Sequence, residues 1–119
     1  MASKTLEAQP LACVPGAIPK HERASHFALA KRLLRAGPSH HPISNGHEWR
    51  LPADTLTDVA RFIANERLCC PFLRFEFVLE PGDAELLLRM TGPYGAREVL
   101  DAELGLTGCG GNECGCNGR

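Results

Sequence analysis

The spacing of the hydrophobic residues changes at Pro71. Before this proline, Leu56, Val59 and Ile63 recur at the three-to-four-residue spacing of a helix. After it, large apolar residues occupy every second position of the stretch 72–80, namely Leu73, Phe75, Phe77 and Leu79. Such alternation is typical of a strand with one buried face. The sequence therefore predicts an amphipathic helix that leads directly into a strand.

The residues at this junction are Glu66-Arg67-Leu68-Cys69-Cys70-Pro71-Phe72. Proline lacks a backbone N–H and disfavours helical geometry in the residue before it. We therefore expect Cys69 to be the last helical residue and Cys70 to lie in the turn.

The rest of the chain is assigned by the same patterns. We expect a helix over 20–36, a polar loop over 39–46, a strand over 47–51, a returning strand over 85–91, and a last helix from Gly92-Pro93 to about Leu104. The aromatic residues predicted to be in the core are Trp49, Phe72, Phe75 and Phe77. The order helix, strand, helix, strand, strand, helix predicts an α+β fold, with a sheet of about three strands packed by three helices on one face.

Three segments are predicted along the chain. Residues 1–19 contain three prolines and no sustained period, which indicates an extended N-terminal arm. Residues 20–104 form a single α+β domain. Residues 105–119 are rich in glycine and cysteine and nearly devoid of large apolar residues, which predicts a flexible tail.

Composition narrows the function classes. A net charge of −1 without a basic stripe argues against nucleic acid as a partner. The sequence has neither the apolar run of a secretory signal nor a membrane span, so we expect a cytoplasmic protein. In that compartment six cysteines indicate free thiols, metal ligands or redox groups rather than a disulfide framework.

The vicinal thiols Cys69 and Cys70 are the strongest candidates for chemistry. Neighbouring cysteines close a disulfide only through a strained ring, whereas their thiolates can bind a soft cation together. The alternative is that each is a small buried hydrophobic residue at a helix end. The negative end of the helix dipole disfavours a thiolate there, which argues against Cys69 as a self-activated nucleophile.

Glu66 continues the apolar stripe of the same helix, and an unpaired buried carboxylate is costly. Three roles are open to it. It could pair with an arginine, with Arg23 and Arg97 as candidates. It could also be a ligand or hydrogen-bond acceptor beside a thiolate site, or a proton donor with a raised pKa.

The chain resembles a family of small uncharacterised bacterial proteins that share a Glu-x-x-Cys-Cys-Pro-Phe core. The resemblance covers about residues 11–104 and includes Leu11-Ala12-Cys13 near the start and Thr91-Gly92-Pro93 before the last helix. No activity is attached to that family. The resemblance implies that Cys13, Glu66, Cys69 and Cys70 belong to one pattern, with the N-terminal arm folded back to bring a third thiol to the pair.

The tail carries Cys109, Cys114 and Cys116. A Cys-x-Cys pair among glycines can wrap a soft ion in the manner of metallothionein, and these residues are candidate auxiliary metal ligands. Their spacing is not that of a zinc finger. A tolerated C-terminal extension without a role is the alternative.

The histidines are weaker candidates. His40, His41 and His47 lie close enough in sequence to bind a borderline ion, but exposed loop histidines are more often solvated. His21 and His26 are predicted to lie on the surface.

The leading hypothesis is a cytoplasmic thiolate protein that sequesters or relays a soft or borderline ion such as mercuric, cuprous or zinc ion. Its metal ligands would be Cys13, Cys69, Cys70 and the three tail cysteines, in a role suited to metal resistance. A metal-handling partner protein would fit a relay, whereas no nucleic-acid or membrane partner is expected.

The alternative is a thiol enzyme, which leaves open whether the protein is a catalyst. In one version Glu66 is the acid of an organometal protonolysis, by analogy of chemistry with organomercurial lyase, which uses two cysteines and an acid to cleave a carbon–mercury bond. In another version the core pair is a thiol-disulfide reductase with the tail cysteines as resolving thiols. A domain with a purely structural metal is a third possibility.

Overall fold

The computed structural model describes residues 11–35 and 39–106. In these ranges the chain forms three α-helices and a four-stranded antiparallel sheet: α1 (Arg23–Leu33), β1 (His40–Ile43), β2 (Gly46–Pro52), α2 (Leu56–Cys69), β3 (Arg74–Val78), β4 (Glu85–Thr91) and α3 (Ala96–Leu104). Short 3-10 turns precede α1 and α2. The predicted α+β class is confirmed.

The strands lie in the order β1-β2-β4-β3, and all three neighbouring pairs are antiparallel. The expectation of about three strands was wrong, because residues 40–43, assigned to a polar loop, form β1. A two-residue turn of Ser44 and Asn45 joins β1 to β2, with Asn45 in the left-handed region at φ 57°. Two-residue loops are the commonest hairpin connections, and pairing with β2 holds a strand that has no hydrophobic alternation of its own.

One face of the sheet is buried beneath the helices. His47, Trp49 and Leu51 of β2 and Leu86, Leu88 and Met90 of β4 are at most 7 % exposed. The residues between them are exposed, such as Arg50 and Arg89, or half-buried, such as Glu48 and Leu87. This alternation is that of strands with one buried face.

The edge strand β3 departs from its predicted pattern. Phe75 is half-buried against the main core, but Phe77 is 46 % exposed and Leu79 is 43 % exposed. Phe77 was therefore wrongly assigned to the core, since the outer strand extends beyond the cover that the helices give. Trp49 and Phe72 are buried as predicted.

Near the N-terminus, the chain turns back against the end of α2. The backbone N–H of Val14 donates a hydrogen bond to the carbonyl of Cys69 at 2.6 Å. The fully buried Ile18 packs in a small second core with Cys69, Cys70 and Ala96. The Arg23 guanidinium fastens this segment by donating to the carbonyls of Ile18 and Gly16.

Several predictions concern residues outside the described ranges. They include the first ten residues of the arm, the end of the first helix at Ala36, and most of the tail with Cys109, Cys114 and Cys116. None of the helices in the described part of the chain is long and apolar enough to cross a membrane.

Candidate metal centre

The end of α2 presents the vicinal thiols. Cys69 is the last residue of the helix, and the Cys70 amide closes it by donating to the Glu66 carbonyl at 2.8 Å. Cys70 itself leaves helical geometry, with φ −122° and ψ 78°, as the following Pro71 predicts. Both cysteines are 0 % exposed.

Cys13 is brought to this pair by the hydrogen bond between its neighbour Val14 and the Cys69 carbonyl. The third thiol thus comes from a segment more than fifty residues away in sequence. It is half-buried and lies at the boundary of the second core.

Glu103, in the last turn of α3, completes the group. One donor atom each from Cys13, Cys69, Cys70 and Glu103 can be chosen such that all four lie within 4.8 Å of one another. We call these four residues, together with Glu66 and its partner His26, the thiol centre. Glu103 was not predicted as a site residue, although it follows Ala96 and Leu100 on the inward stripe of α3. A carboxylate on an apolar stripe is the same signal that identified Glu66.

Two carboxyl groups contact one thiol in this centre. The Cys70 Sγ lies 3.4 Å from Glu66 Oε2 and 3.5 Å from Glu103 Oε1, and the Cys69 Sγ lies 3.8 Å from Glu103 Oε2. The Cys69 and Cys70 sulfurs are therefore placed as hydrogen-bond donors to carboxyl oxygens. Such contacts require protons on sulfur, because a thiolate beside a carboxylate would be repelled.

Glu66 has a histidine as its partner. His26 Nε2 lies 2.8 Å from Glu66 Oε1, and both side chains are 0 % exposed. The prediction that His26 lies on the surface was wrong, and neither Arg23 nor Arg97 pairs with Glu66, since each donates to backbone carbonyls. His26 stacks on Phe62 at 5.3 Å, and its buried Nδ1 has no hydrogen-bond partner among the described residues.

Burial and like charges raise the pKa values in the centre. Burial raises the pKa of Cys13 to about 12, and burial followed by the negative charge of a glutamate raises the pKa of both Cys69 and Cys70. The pKa of Glu103 rises to about 8 through burial and the neighbouring Glu66, against opposing hydrogen bonds from Cys70 and Cys13. Without a cation, the three thiols keep their protons at neutral pH.

The spacing of the donors suits a small tetrahedral site. Four donors at about 2.0–2.3 Å from a zinc ion lie about 3.3–3.8 Å apart. The observed separations of up to 4.8 Å therefore need a contraction of about 1 Å around such an ion. Three sulfurs and one oxygen form a donor set for soft or borderline cations.

The histidines of the first hairpin form a separate arrangement. His47 Nδ1 lies 2.8 Å from His40 Nε2, and His47 Nε2 lies 2.7 Å from Asp101 Oδ1. We call these three residues the histidine chain. His41 pairs with Glu48 across the strands and points to the opposite face of the sheet, so the predicted cluster of three histidines is not assembled. His21 is exposed as predicted.

No protein-family model, no curated protein and no solved structure matches this chain. The resemblance through Glu66, Cys69, Cys70, Pro71 and Phe72 stays a prediction. The function is therefore argued from the chemistry of the site itself.

Proposed function

We propose that this protein binds a thiophilic metal ion at Cys13, Cys69, Cys70 and Glu103. The observation that carries the proposal is the convergence of three thiols and a carboxylate, with donor atoms within 4.8 Å, from three separate segments of the chain. A group of this kind is unfavourable by itself, since the buried Glu66 and the half-buried Glu103 both lie against a thiol that has to stay protonated.

A cation removes that cost. Binding of a soft ion displaces the thiol protons, and the charge of the ion then offsets the negative charge of the thiolates and carboxylates that result. The affinity must therefore rise with pH. The Glu66–His26 pair lies directly behind Cys70, and Glu66 accepts the hydrogen bond of the Cys70 thiol until a metal ion displaces that proton.

The donor set favours mercuric, cuprous or zinc ion over hard cations. Cys13 and Glu103 are half-buried whereas Cys69 and Cys70 are fully buried, so an ion would reach the vicinal pair through the first two. Sequestration or relay of the ion in the cytosol is the role we assign. The tail cysteines, outside the described residues, would be auxiliary ligands that capture the ion and pass it on.

A second candidate function is organometal protonolysis, and the two carboxyls in contact with Cys70 favour it. An acid beside bound thiolates could protonate the carbon of a metal–carbon bond, whose electron pair forms the C–H bond while the metal stays on sulfur. In this reading Glu66 is the acid, because it contacts Cys70 and is not among the proposed metal ligands. Loss of turnover in Glu66→Gln with metal affinity retained would support catalysis over simple binding.

The test of metal binding uses the full chain with Cys109, Cys114 and Cys116 replaced by serine, so that the tail does not contribute. Titration with mercuric ion should give sulfur-to-metal charge-transfer absorption that saturates at one equivalent. The further change Cys69→Ser with Cys70→Ser should abolish it. Tight stoichiometric binding by that last variant would refute the proposed site.

A further inference from the structure

A cavity of about 250 Å³ lies between α1 and the end of α3. Its lining is mostly apolar and consists of Phe27, Ala30, Lys31, Ala102, Glu103, Leu104 and Gly105. Lys31 and Glu103 are the charged lining residues, and Lys31 is exposed. Most of the wall therefore suits a hydrocarbon group.

Two of the lining residues also belong to the surroundings of the thiols. Glu103 contacts both Cys69 and Cys70 through its carboxylate oxygens. Phe27 packs against the second core, which contains the same two cysteines. A group attached to an ion at the thiol centre would thus find this cavity directly beside it.

A bare ion bound by four donors has a complete tetrahedral shell, so no group on it would extend into the cavity. The size of the cavity is ample for an organic group, since an apolar cavity of about 150 Å³ holds a benzene molecule. Burial of a hydrocarbon group against Phe27, Ala30 and Leu104 would add to the strength of the metal–sulfur bonds.

From this juxtaposition we propose that the thiol centre takes a thiophilic metal ion that carries one alkyl or aryl substituent, and that the cavity between α1 and α3 holds the substituent. The inference rests on the proposed thiolate site and names its substrate class. Binding is a ligand exchange without a change of oxidation state. A metal–sulfur bond to a cysteine forms, the bond to the incoming ion's labile anion breaks, and the thiol proton leaves with that anion.

The probes are phenylmercuric acetate and mercuric ion, each measured in competition with glutathione on the full chain with serine at the three tail cysteines. Ala102→Phe narrows the cavity from an exposed helical position and leaves every proposed ligand intact. Ala60→Phe is the matched control, because Ala60 is also exposed and helical but lies on α2 outside the cavity.

We expect Ala102→Phe to weaken phenylmercury binding about tenfold to a hundredfold, the range for lost burial of one aromatic ring, with mercuric affinity unchanged. Ala60→Phe should change neither affinity. In the parent chain, nuclear Overhauser effects should link the phenyl protons to the Phe27 ring and the Ala30 methyl group.

Equal phenylmercury affinity in both variants, together with absence of those Overhauser effects, would overturn the cavity assignment. Mercuric binding in the same experiments would still support the proposed thiolate site. Failure of the parent chain to bind either probe would instead overturn the proposed function itself.

Discussion

Two polar clusters flank α3, and they differ in how well their own hydrogen bonds satisfy them. In the histidine chain the Asp101 carboxylate accepts from His47, whose other ring nitrogen meets His40, with separations of 2.7 and 2.8 Å. Donors and acceptors alternate along it, and each nitrogen of the buried His47 is engaged. The chain links β1, β2 and α3 without any further group.

The donors and acceptors of the thiol centre, by contrast, are poorly satisfied by one another. Three thiols and two carboxyls crowd together, their S–H contacts span 3.4–3.8 Å, and the buried His26 Nδ1 lacks a partner among the described residues. A thiol is a weak hydrogen-bond donor and the Cys70 thiol is shared between two carboxyls, so this centre is poorly satisfied without a cation. A polar cluster whose groups satisfy one another by hydrogen bonds fits a structural role, whereas a cluster of acidic groups without a positive charge fits a ligand site.

The largest effect is expected from His26→Ala. This change leaves Glu66 buried without its partner, and removal of one member of a buried pair costs about 3–5 kcal/mol. The free energy of unfolding from urea denaturation of the metal-free protein measures it. A loss below about 1 kcal/mol would show that Glu66 does not depend on His26.

The second-largest effect is expected on zinc affinity, which should depend on the thiol centre and not on the histidine chain. If a bound ion contributes about 10–16 kcal/mol over four ligands, each ligand accounts for about 3 kcal/mol, or roughly a hundredfold. Cys13→Ser in the chain with serine at the tail cysteines should therefore lower zinc affinity about a hundredfold, measured by competition with a chelator. His47→Gln, the matched control in the histidine chain, should leave the affinity unchanged, and an equal loss in both variants would remove the distinction.

Asp101→Asn tests the structural role of the histidine chain. Loss of a hydrogen bond to a charged group costs about 1.5–3 kcal/mol, which should appear in the unfolding free energy. Zinc affinity should not change. If Asp101→Asn is as stable as the parent protein, the histidine chain contributes nothing to the stability of the fold.

The pH dependence of stability should reveal Glu103. Because its folded-state pKa of about 8 lies above the ordinary value of 4.5, the folded protein keeps a proton that the unfolded chain loses. Stability of the metal-free protein should fall as pH rises from about 4.5 to about 8. Partial exposure screens the effect, which we expect to reach about 2 kcal/mol. Glu103→Gln should flatten this decline, and an unchanged slope in that variant would contradict the account.

The smallest effect is expected at His41, the neighbour of His40 on the opposite face of β1. His41→Ala removes an exposed side chain and should change stability by less than about 0.5 kcal/mol. His40→Ala should cost about 1 kcal/mol through the lost hydrogen bond to His47 and the lost stacking on Trp49 at 5.1 Å. Equal losses of stability in the two variants, measured by thermal unfolding, would mean that His40 is not part of the histidine chain.

The local patterns of the sequence were sufficient for most of the fold. Pro71 fixes the end of α2, and β4 covers the predicted residues 85–91. The strand β1 was missed because His40-His41-Pro42 has no hydrophobic alternation, and it exists through pairing with β2. Strand pairing of this kind is a tertiary effect that local propensity does not contain.

The site was harder to predict, because its members come from distant segments. The vicinal cysteines and Glu66 stand out within one helix. The partner of Glu66 lies forty residues away on α1. His26 precedes Leu29 and Leu33 on the buried stripe of that helix, but the stripe does not say which group it faces. Glu103 was detectable as a carboxylate on the apolar stripe of α3, but which groups it faces depends on how α3 packs against α2.

The most direct test of the central claim is X-ray absorption spectroscopy of the zinc-loaded full chain with serine at Cys109, Cys114 and Cys116. The account predicts three sulfur neighbours at about 2.3 Å and one oxygen at about 2.0–2.2 Å. One sulfur should be lost in Cys13→Ser, and the spectrum should not change in His47→Gln. A shell of nitrogen and oxygen without sulfur, or a signal that depends on His47 and not on Cys13, would contradict the assignment of the metal to the thiol centre.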